Sequence, residues 1–270
     1  MTGNTEHRLG VEHLPGCLVL SASAGWNQNE ADWRLMLGMG HGWGITLPDG
    51  TLAASTLVLP YGRVFAWVSM VLVLPEQRRK GYASRLLRVA LADLETRGLT
   101  AVLDATPAGR EVYRQEGFHD TWGFKRYVLS NQSKKAANQV RAIHDRDWPW
   151  ILELDAQAFG ASRETLLRSL AQRLPEAALV VEGSGFILGR GGREARQVGP
   201  LIASSQEAAM RLLSAALAAV QPPVYLDLVD RVAAPPGATF QRPFTRMVHG
   251  AGGAPGNEKL VYCVAGPELG

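Results

Sequence analysis

The stretch Val71-Leu72-Val73-Leu74-Pro75-Glu76-Gln77-Arg78-Arg79-Lys80-Gly81-Tyr82-Ala83-Ser84-Arg85-Leu86-Leu87 decides how the rest of the chain is read. An apolar run stops at a proline, a basic turn containing a glycine follows, and an amphipathic segment begins. Strand, turn and helix therefore meet where Arg78, Arg79, Lys80 and Gly81 sit side by side. A helix N-terminus exposes backbone N–H groups and carries a partial positive charge, so such a junction suits a phosphate. Gly81 and Ala83 are small enough to let a ligand approach the backbone. Charge alone leaves a second reading equally open, an ordinary turn with solvated side chains.

Working outward, residues 82–96 carry Leu86, Leu87, Ala90, Leu91 and Leu94 on one stripe, the period of a helix, and Gly98 ends it. Upstream, residues 16–23 (GCLVLSAS) are read as a first strand and residues 24–40 as a helix. Residues 42–47 and 52–59 form a hairpin around Pro48-Asp49-Gly50, and residues 64–74 form a long apolar strand. Downstream, residues 99–104 are a strand, 107–116 a short helix, and 118–129 a strand pair. Strands alternating with helices after an opening hairpin imply a mixed sheet in an α/β domain.

The polar stretch 130–139 (SNQSKKAANQ) has no apolar periodicity. Residues 131–139 are taken as a linker between a domain at 1–130 and another at 140–270. The second half repeats the order of elements: a short strand at 140–143, helices at 148–160 and 163–174, strands at 178–182, 185–189 and 197–203, a helix at 205–220, and strands at 224–230 and 259–265.

Composition narrows the class. The 270 residues are 46% hydrophobic and 20% charged with a net charge of +3, enough apolar chain for a sizeable core. Basic and acidic residues are interspersed, so no nucleic-acid-binding face is expected. Cys17 and Cys263 form neither a metal set nor a disulfide framework. The first residues are polar, and the longest uncharged apolar run is about a dozen residues, short of a membrane span. A cytoplasmic protein with no membrane partner is expected, either monomer or homodimer.

The pattern Val73-x-Pro75-x-x-Arg78-x-x-Gly81-x-Ala83 resembles the pyrophosphate loop of the GNAT superfamily of N-acetyltransferases, with alanine in place of its frequent final glycine. Asp104-Ala105-Thr106-Pro107-Ala108-Gly109-Arg110, then Tyr113-x-x-x-Gly117-Phe118, matches a second motif at the correct distance. The pair is more specific than either alone. The resemblance implies two tandem GNAT-like domains of mixed, mostly antiparallel sheet flanked by helices, with acetyl-CoA as co-substrate and no metal. It places the cofactor on Val71, Leu72, Val73, Arg78, Arg79, Lys80, Gly81, Tyr82, Ala83 and Ser84, and makes Tyr113 the general acid for the departing thiolate. A core tyrosine beneath the Gly117-Phe118 turn is the alternative role. Arg110 and Arg114 could hold the adenine-ribose phosphate or be solvated.

The acceptor is expected to be a small or amino-acid-like amine, contacted by Asp104, Asp32 or Trp33. Asp104 could equally cap the helix that follows it, Glu30, Asp32 and His41 could be surface or capping residues, and Trp26, Trp33 and Trp67 could be core. In the second half Gly185–Arg190, Val198-Gly199-Pro200-Leu201, Leu226-Asp227 and Phe244-Thr245-Arg246-Met247 resemble the C-terminal GNAT-like domain of tandem bacterial acetyltransferases of the YitH type. Its loop position reads Gly199-Pro200-Leu201-Ile202-Ala203-Ser204-Ser205-Gln206-Glu207, without arginines and with an acid, so a single cofactor site is expected. Asp155, Arg163 and Arg246 are candidates for acceptor contacts or for buried ion pairs. A non-catalytic acyl-CoA sensor and a protein N-acetyltransferase remain the competing functions.

Overall fold

A computed structural model describes residues 4–131 and 138–270; the core of the expected linker, 132–137, lies outside the described residues. The first half comprises β1 (Thr5–Arg8), α1 (Leu14–Ser23), α2 (Glu30–Met39), β2 (His41–Thr46), β3 (Leu52–Tyr61), β4 (Phe65–Val73), α3 (Tyr82–Thr96), β5 (Thr100–Ala105), α4 (Pro107–Gln115) and β6 (Phe118–Leu129). The second comprises β7 (Arg141–Ala142), α5 (Trp148–Phe159), α6 (Glu164–Arg173), β8 (Leu179–Val181), β9 (Gly185–Gly191), β10 (Arg196–Ala203), α7 (Gln206–Ala219), β11 (Val224–Val229), β12 (Thr239–His249) and β13 (Val261–Cys263).

The expected strand at 16–23 is a helix. Pro15 sits in its first turn, and Leu14, Cys17, Leu20 and Ser21 are buried at helical spacing, which an apolar run conceals when read by hydrophobicity alone. The expected strand pair at 118–129 is one twelve-residue strand, because its partners come from the other half of the chain.

All strands join one sheet in the order β1-β2-β3-β4-β5-β12-β6-β11-β13-β10-β9-β8-β7. Among the described residues only β4–β5 and β10–β11 pair in parallel. β12 lies between β5 and β6, with Arg246 opposite Asp104 and Met247 opposite Leu103. β6 in turn pairs along its outer edge with β11, from Leu129 opposite Val224 to Phe124 opposite Val229. Each half thus lends a strand to the other, and the sheet has no seam at the middle of the sequence.

Alternation along the strands sends side chains to two faces. Ala66 and Val68 pack with Leu86, Leu87, Ala90 and Leu94 of α3. Phe65 and Trp67, pointing the other way, join a core shared by both halves, with Leu20 and Trp33 from the first and Phe159 and Leu167 from the second. Phe159 stands edge-on to Tyr61 at 4.7 Å between ring centroids and to Phe65 at 5.4 Å. The face under α7 forms a separate cluster around Leu212, Ala216 and Val198. Among the described residues no helix is long and apolar enough to cross a membrane.

Candidate functional site

β4 and β5 pair only from Phe65–Thr100 to Trp67–Val102 and then diverge. A bulge assists this: between Ser55–Leu72 and Leu57–Ser69 the β4 strand carries an extra residue, and Met70 takes a left-handed φ of 50°. The Ser55 hydroxyl donates to the Met70 carbonyl at 2.8 Å and fixes the kink. Past Trp67, Val71, Leu72 and Val73 therefore keep β3 on one edge and present the other to an open wedge. Backbone groups without a strand partner there suit the amides of an extended ligand, although Arg78 reaches the Val73 carbonyl.

The wedge opens toward the N-terminus of α3. Arg79 and Gly81 both have left-handed backbones, with φ of 63° and 80°, and Gly81 is the N-cap with no side chain capping the helix. The first amides of α3 are accordingly free for an external acceptor. A Cβ at Gly81 would touch nothing, so the residue is required for its backbone rather than for space. Arg78 donates from Nε to the Val73 carbonyl at 3.3 Å, and Lys80 reaches the Gln77 amide oxygen at 2.7 Å. Neither these two nor Arg79 meets a carboxylate among the described residues. Tyr82 receives a hydrogen bond from Asn4 of the N-terminal segment.

Two hollows adjoin at this wedge. An outer cleft of about 530 Å³ runs from Arg78 and Ala83 along Val71–Val73 to Pro107 and Tyr113. A narrow inner pocket of about 30 Å³ lies behind it, lined by Ser69, Met70, Leu103 and Phe244 among others. Trp26, Val71, Asp104, Thr106, Tyr113 and Arg242 border both. Tyr113 is carried by α4, whose N-cap is Thr106, accepting from the Gly109 amide. Its ring packs 5.9 Å from that of Phe118, so the packing role holds without removing the phenol from the junction. Burial pushes that phenol above the ordinary tyrosine value.

The second half closes the inner pocket. Arg242 and Phe244 come from β12, and Pro267 and Glu268 from the segment after β13. That segment is pinned by hydrogen bonds from Trp67 Nε1 to the Pro267 carbonyl and from the Tyr61 hydroxyl to the Leu269 carbonyl, both 2.9 Å. The 24–29 loop carrying Trp26 and Gln28 is held across the halves: the Asn27 side chain bonds the Ala195 carbonyl and the amides of Glu194 and Ala195.

Several expected contacts lie elsewhere. Asp32 caps α2 with Asn29 and is buried against Arg190 and Arg173, at 2.6 and 2.8 Å, and Trp33 is wholly buried with its Nε1 on Ser21. Neither borders the hollows. Asp104 does, but its carboxylate is gripped twice by Arg246, at 2.9 Å each, while Thr106 caps the helix. Burial raises the Asp104 pKa against that pairing. Arg246 is itself sandwiched between Trp67 and Trp122, at 4.5 and 4.1 Å. Asp155 and Arg163 form a second buried pair. Arg110 and Arg114 are committed to Asp120, whose pKa their hydrogen bonds hold down to about 2. Glu30 pairs with Arg34 and His41 with Asp93. Arg242 and Glu268 gave no local signal: they reach the pocket through the strand exchange and the final segment.

Residues 18–118 match a family model described as the acetyltransferase (GNAT) family, and residues 151–263 match one described as an acetyltransferase (GNAT) domain. A protein of Bacillus subtilis named uncharacterized N-acetyltransferase YitH is 25% identical over 230 residues, covering 82% of this chain and 80% of that one. A putative acetyltransferase from Pyrococcus horikoshii shares the fold with a TM-score of 0.82 at 18% identity, covering all of this chain and 97% of its own. A GCN5-related N-acetyltransferase from Sphaerobacter thermophilus does so with a TM-score of 0.65 at 17% identity, over 91% and 95%.

Proposed function

The chain belongs to the GNAT superfamily and is an acetyltransferase, and we propose that it moves the acetyl group of acetyl-CoA onto the amine of a small-molecule acceptor. The first half, residues 1–130, carries the cofactor site, and the second, 140–270, supplies one wall of the acceptor pocket. The observation behind this reading is the shared border of the two hollows at Tyr113, beside an uncapped helix and an unpaired strand edge. A narrow inner pocket closed by Arg242, Phe244 and Glu268 leaves no room for a length of polypeptide, which favours a small acceptor.

The α3 amides with Arg78, Arg79 and Lys80 would receive the pyrophosphate, and the free edge of Val71–Val73 the pantetheine amides. The thioester supplies the acetyl carbon and a thiolate leaving group. The acceptor nitrogen, deprotonated, bonds to that carbon as the carbon–sulfur bond breaks. The Tyr113 hydroxyl would give its proton to the sulfur, and the nitrogen, having acquired a fourth bond, would give up a proton to solvent, from which the Tyr113 phenol is restored. Holding both partners against one border supplies the rest through positioning.

The test is release of free thiol from acetyl-CoA in the presence of an amine panel. Release that depends on amine and falls in Tyr113→Phe supports the reading. Tight CoA binding with no amine in the panel turning over would support an acyl-CoA sensor instead.

A further inference from the structure

Charges buried or half-buried around the inner pocket are matched with one exception, the half-buried Arg242. Asp104 is held by Arg246 and Asp227 by Arg126, at 2.9 and 2.6 Å. Asp32 and Glu268 share Arg190, and Arg173 is a second cation on Asp32. Four carboxylates thus face four arginines. Arg242 is the fifth arginine, and no carboxylate among the described residues lies within ion-pair distance of it. Its Cα partner across the strands is another cation, Arg126. A register shift between Phe240 and Arg242 inserts Gln241 as an extra residue in β12 just before it. Burial, with Arg126 nearby, depresses Arg242 from the ordinary arginine range.

Three side chains that line this pocket carry an unused hydrogen-bonding atom, while Asp32, Arg173, Arg190 and Gln197 each carry one outside it. Arg242 Nε, Glu268 Oε2 and Gln28 Oε1 are all buried without a hydrogen-bond partner among the described residues, and all three side chains line the hollow. Gln28 and Glu268 are each only 3% exposed. One is a cationic donor, one an anionic acceptor and one a neutral acceptor. Buried polar atoms rarely stay unpaired, so this set has the form of a receptor for a ligand with complementary groups. Glu268 is not free to swing away to satisfy itself, because Arg190 holds its other oxygen and Trp67 and Tyr61 hold the backbone on either side.

We propose that the acceptor is a small amine carrying its own anionic group, with the amine received by Glu268 and Gln28 and the anionic group by Arg242. This rests on the acetyl-transfer reading for its chemistry, though not for its recognition. The planar guanidinium suits a carboxylate or a phosphate, so amino acids and phosphorylated amines share the required chemistry. Arg242 serves here as a specificity-determining contact. It also borders the outer cleft, so an effect on acetyl transfer itself must be read separately from one on acceptor binding.

The experiment uses the full chain, saturating acetyl-CoA and matched acceptors: amino acids against their amides and decarboxylated amines, and phosphoethanolamine against ethanolamine. In each set the acid-bearing member is expected to show kcat/KM about tenfold or more above its neutral counterpart, the size of a charge-assisted contact. Arg242→Gln should erase that preference by raising acceptor KM, and Arg242→Lys should restore part of it. Equal use of acid-bearing and neutral amines would overturn the proposal while leaving acetyl transfer intact. So would an Arg242→Gln variant that loses kcat with acceptor KM unchanged, since Arg242 would then act on the reacting groups. The carboxylate and phosphate arms distinguish the two sources of negative charge. If no amine releases thiol, calorimetry of the same compounds on the CoA-loaded protein decides: binding of acid-bearing amines that is lost in Arg242→Gln sustains the pocket and sinks the transfer reading. Binding of none sinks the proposal.

Discussion

The N-termini of α3 and α7 occupy equivalent places in the two halves, and they have been finished in opposite ways. In the first, Gly81 in a left-handed conformation caps nothing, and Arg78, Arg79 and Lys80 stand around free amides. In the second, the Ser205 side chain accepts from the Ala208 amide at 3.2 Å, and Glu207 sits in the first turn. A hydroxyl satisfies the amide a phosphate would need, and the acid makes the helix end hostile to one. The wedges differ as well. Beyond Trp67 the gap between β4 and β5 is open, whereas beyond Val198 the gap between β10 and β11 is taken by β13, with Cys263 opposite both Leu201 and Leu228. The Cys263 thiol bonds the Val198 carbonyl at 3.2 Å in that filled space. One fold has therefore been kept twice, once with a slot for an extended ligand and once with its own chain in the slot.

The comparison breaks most severely if the halves are not separable. A chain cut in the linker would strip β12 from between β5 and β6, leaving two long unpaired edges and exposing the core around Trp67 and Phe159. Expressed alone, residues 1–131 should be insoluble, and coexpression with 138–270 should recover a folded complex, read by gel filtration and circular dichroism. A soluble first half that binds CoA would show that the exchanged strand is dispensable.

Next in size, Tyr113→Phe should lower kcat by about a hundredfold or more with little change in acetyl-CoA affinity. A general acid works in its protonated form, and burial raises Tyr113 above the ordinary value of about 10. The wild-type rate should therefore show no falling limb from this group below about pH 10. An alkaline limb near pH 8 that vanishes in Tyr113→Phe would contradict the environment described for the residue.

How much of this was legible in the residues follows from how local each feature is. The run from Val71 through Thr96 was read correctly to the limits of α3, because proline, the glycine turn and the leucine stripe are all neighbours in sequence. The helix Leu14–Ser23 was misread because a segment apolar on most sides shows little periodicity, although Leu14, Cys17 and Leu20 at three-residue intervals, with Pro15 in the first turn, were there to see. The strand exchange is set by pairings between residues far apart in sequence, such as Leu129 with Val224 and Asp104 with Arg246, and no local pattern encodes it. For the same reason Asp104 looked like an acceptor contact: its partner Arg246 arrives on the exchanged strand.

A subtler change targets the two helix ends directly. Arg78→Ala with Gly81→Glu should weaken CoA binding by about tenfold or more, since charge and the left-handed cap are lost together. The converse changes in the second half, Ser205→Gly with Glu207→Lys, should not create a second site, because β13 still fills the wedge. Calorimetry should return one CoA per chain for wild type and for the second-half variant alike. Two would mean that the helix end alone, without the strand edge, suffices for binding.

The smallest effect isolates what the serine does now. If Ser205 has become a structural cap, Ser205→Ala should cost about 1 kcal/mol by freeing the Ala208 amide, seen as a lower thermal midpoint with CoA binding unchanged. The matching change at the first end, Gly81→Ser, should behave differently. Serine at a φ of 80° is strained, so it cannot adopt the extended backbone from which Ser205, at φ −144°, reaches its amide. That variant should lose CoA affinity without gaining stability. A gain in stability at Gly81 would mean the basic loop can relax into the capped form, and that the difference between the halves lies in side chains rather than in the backbone.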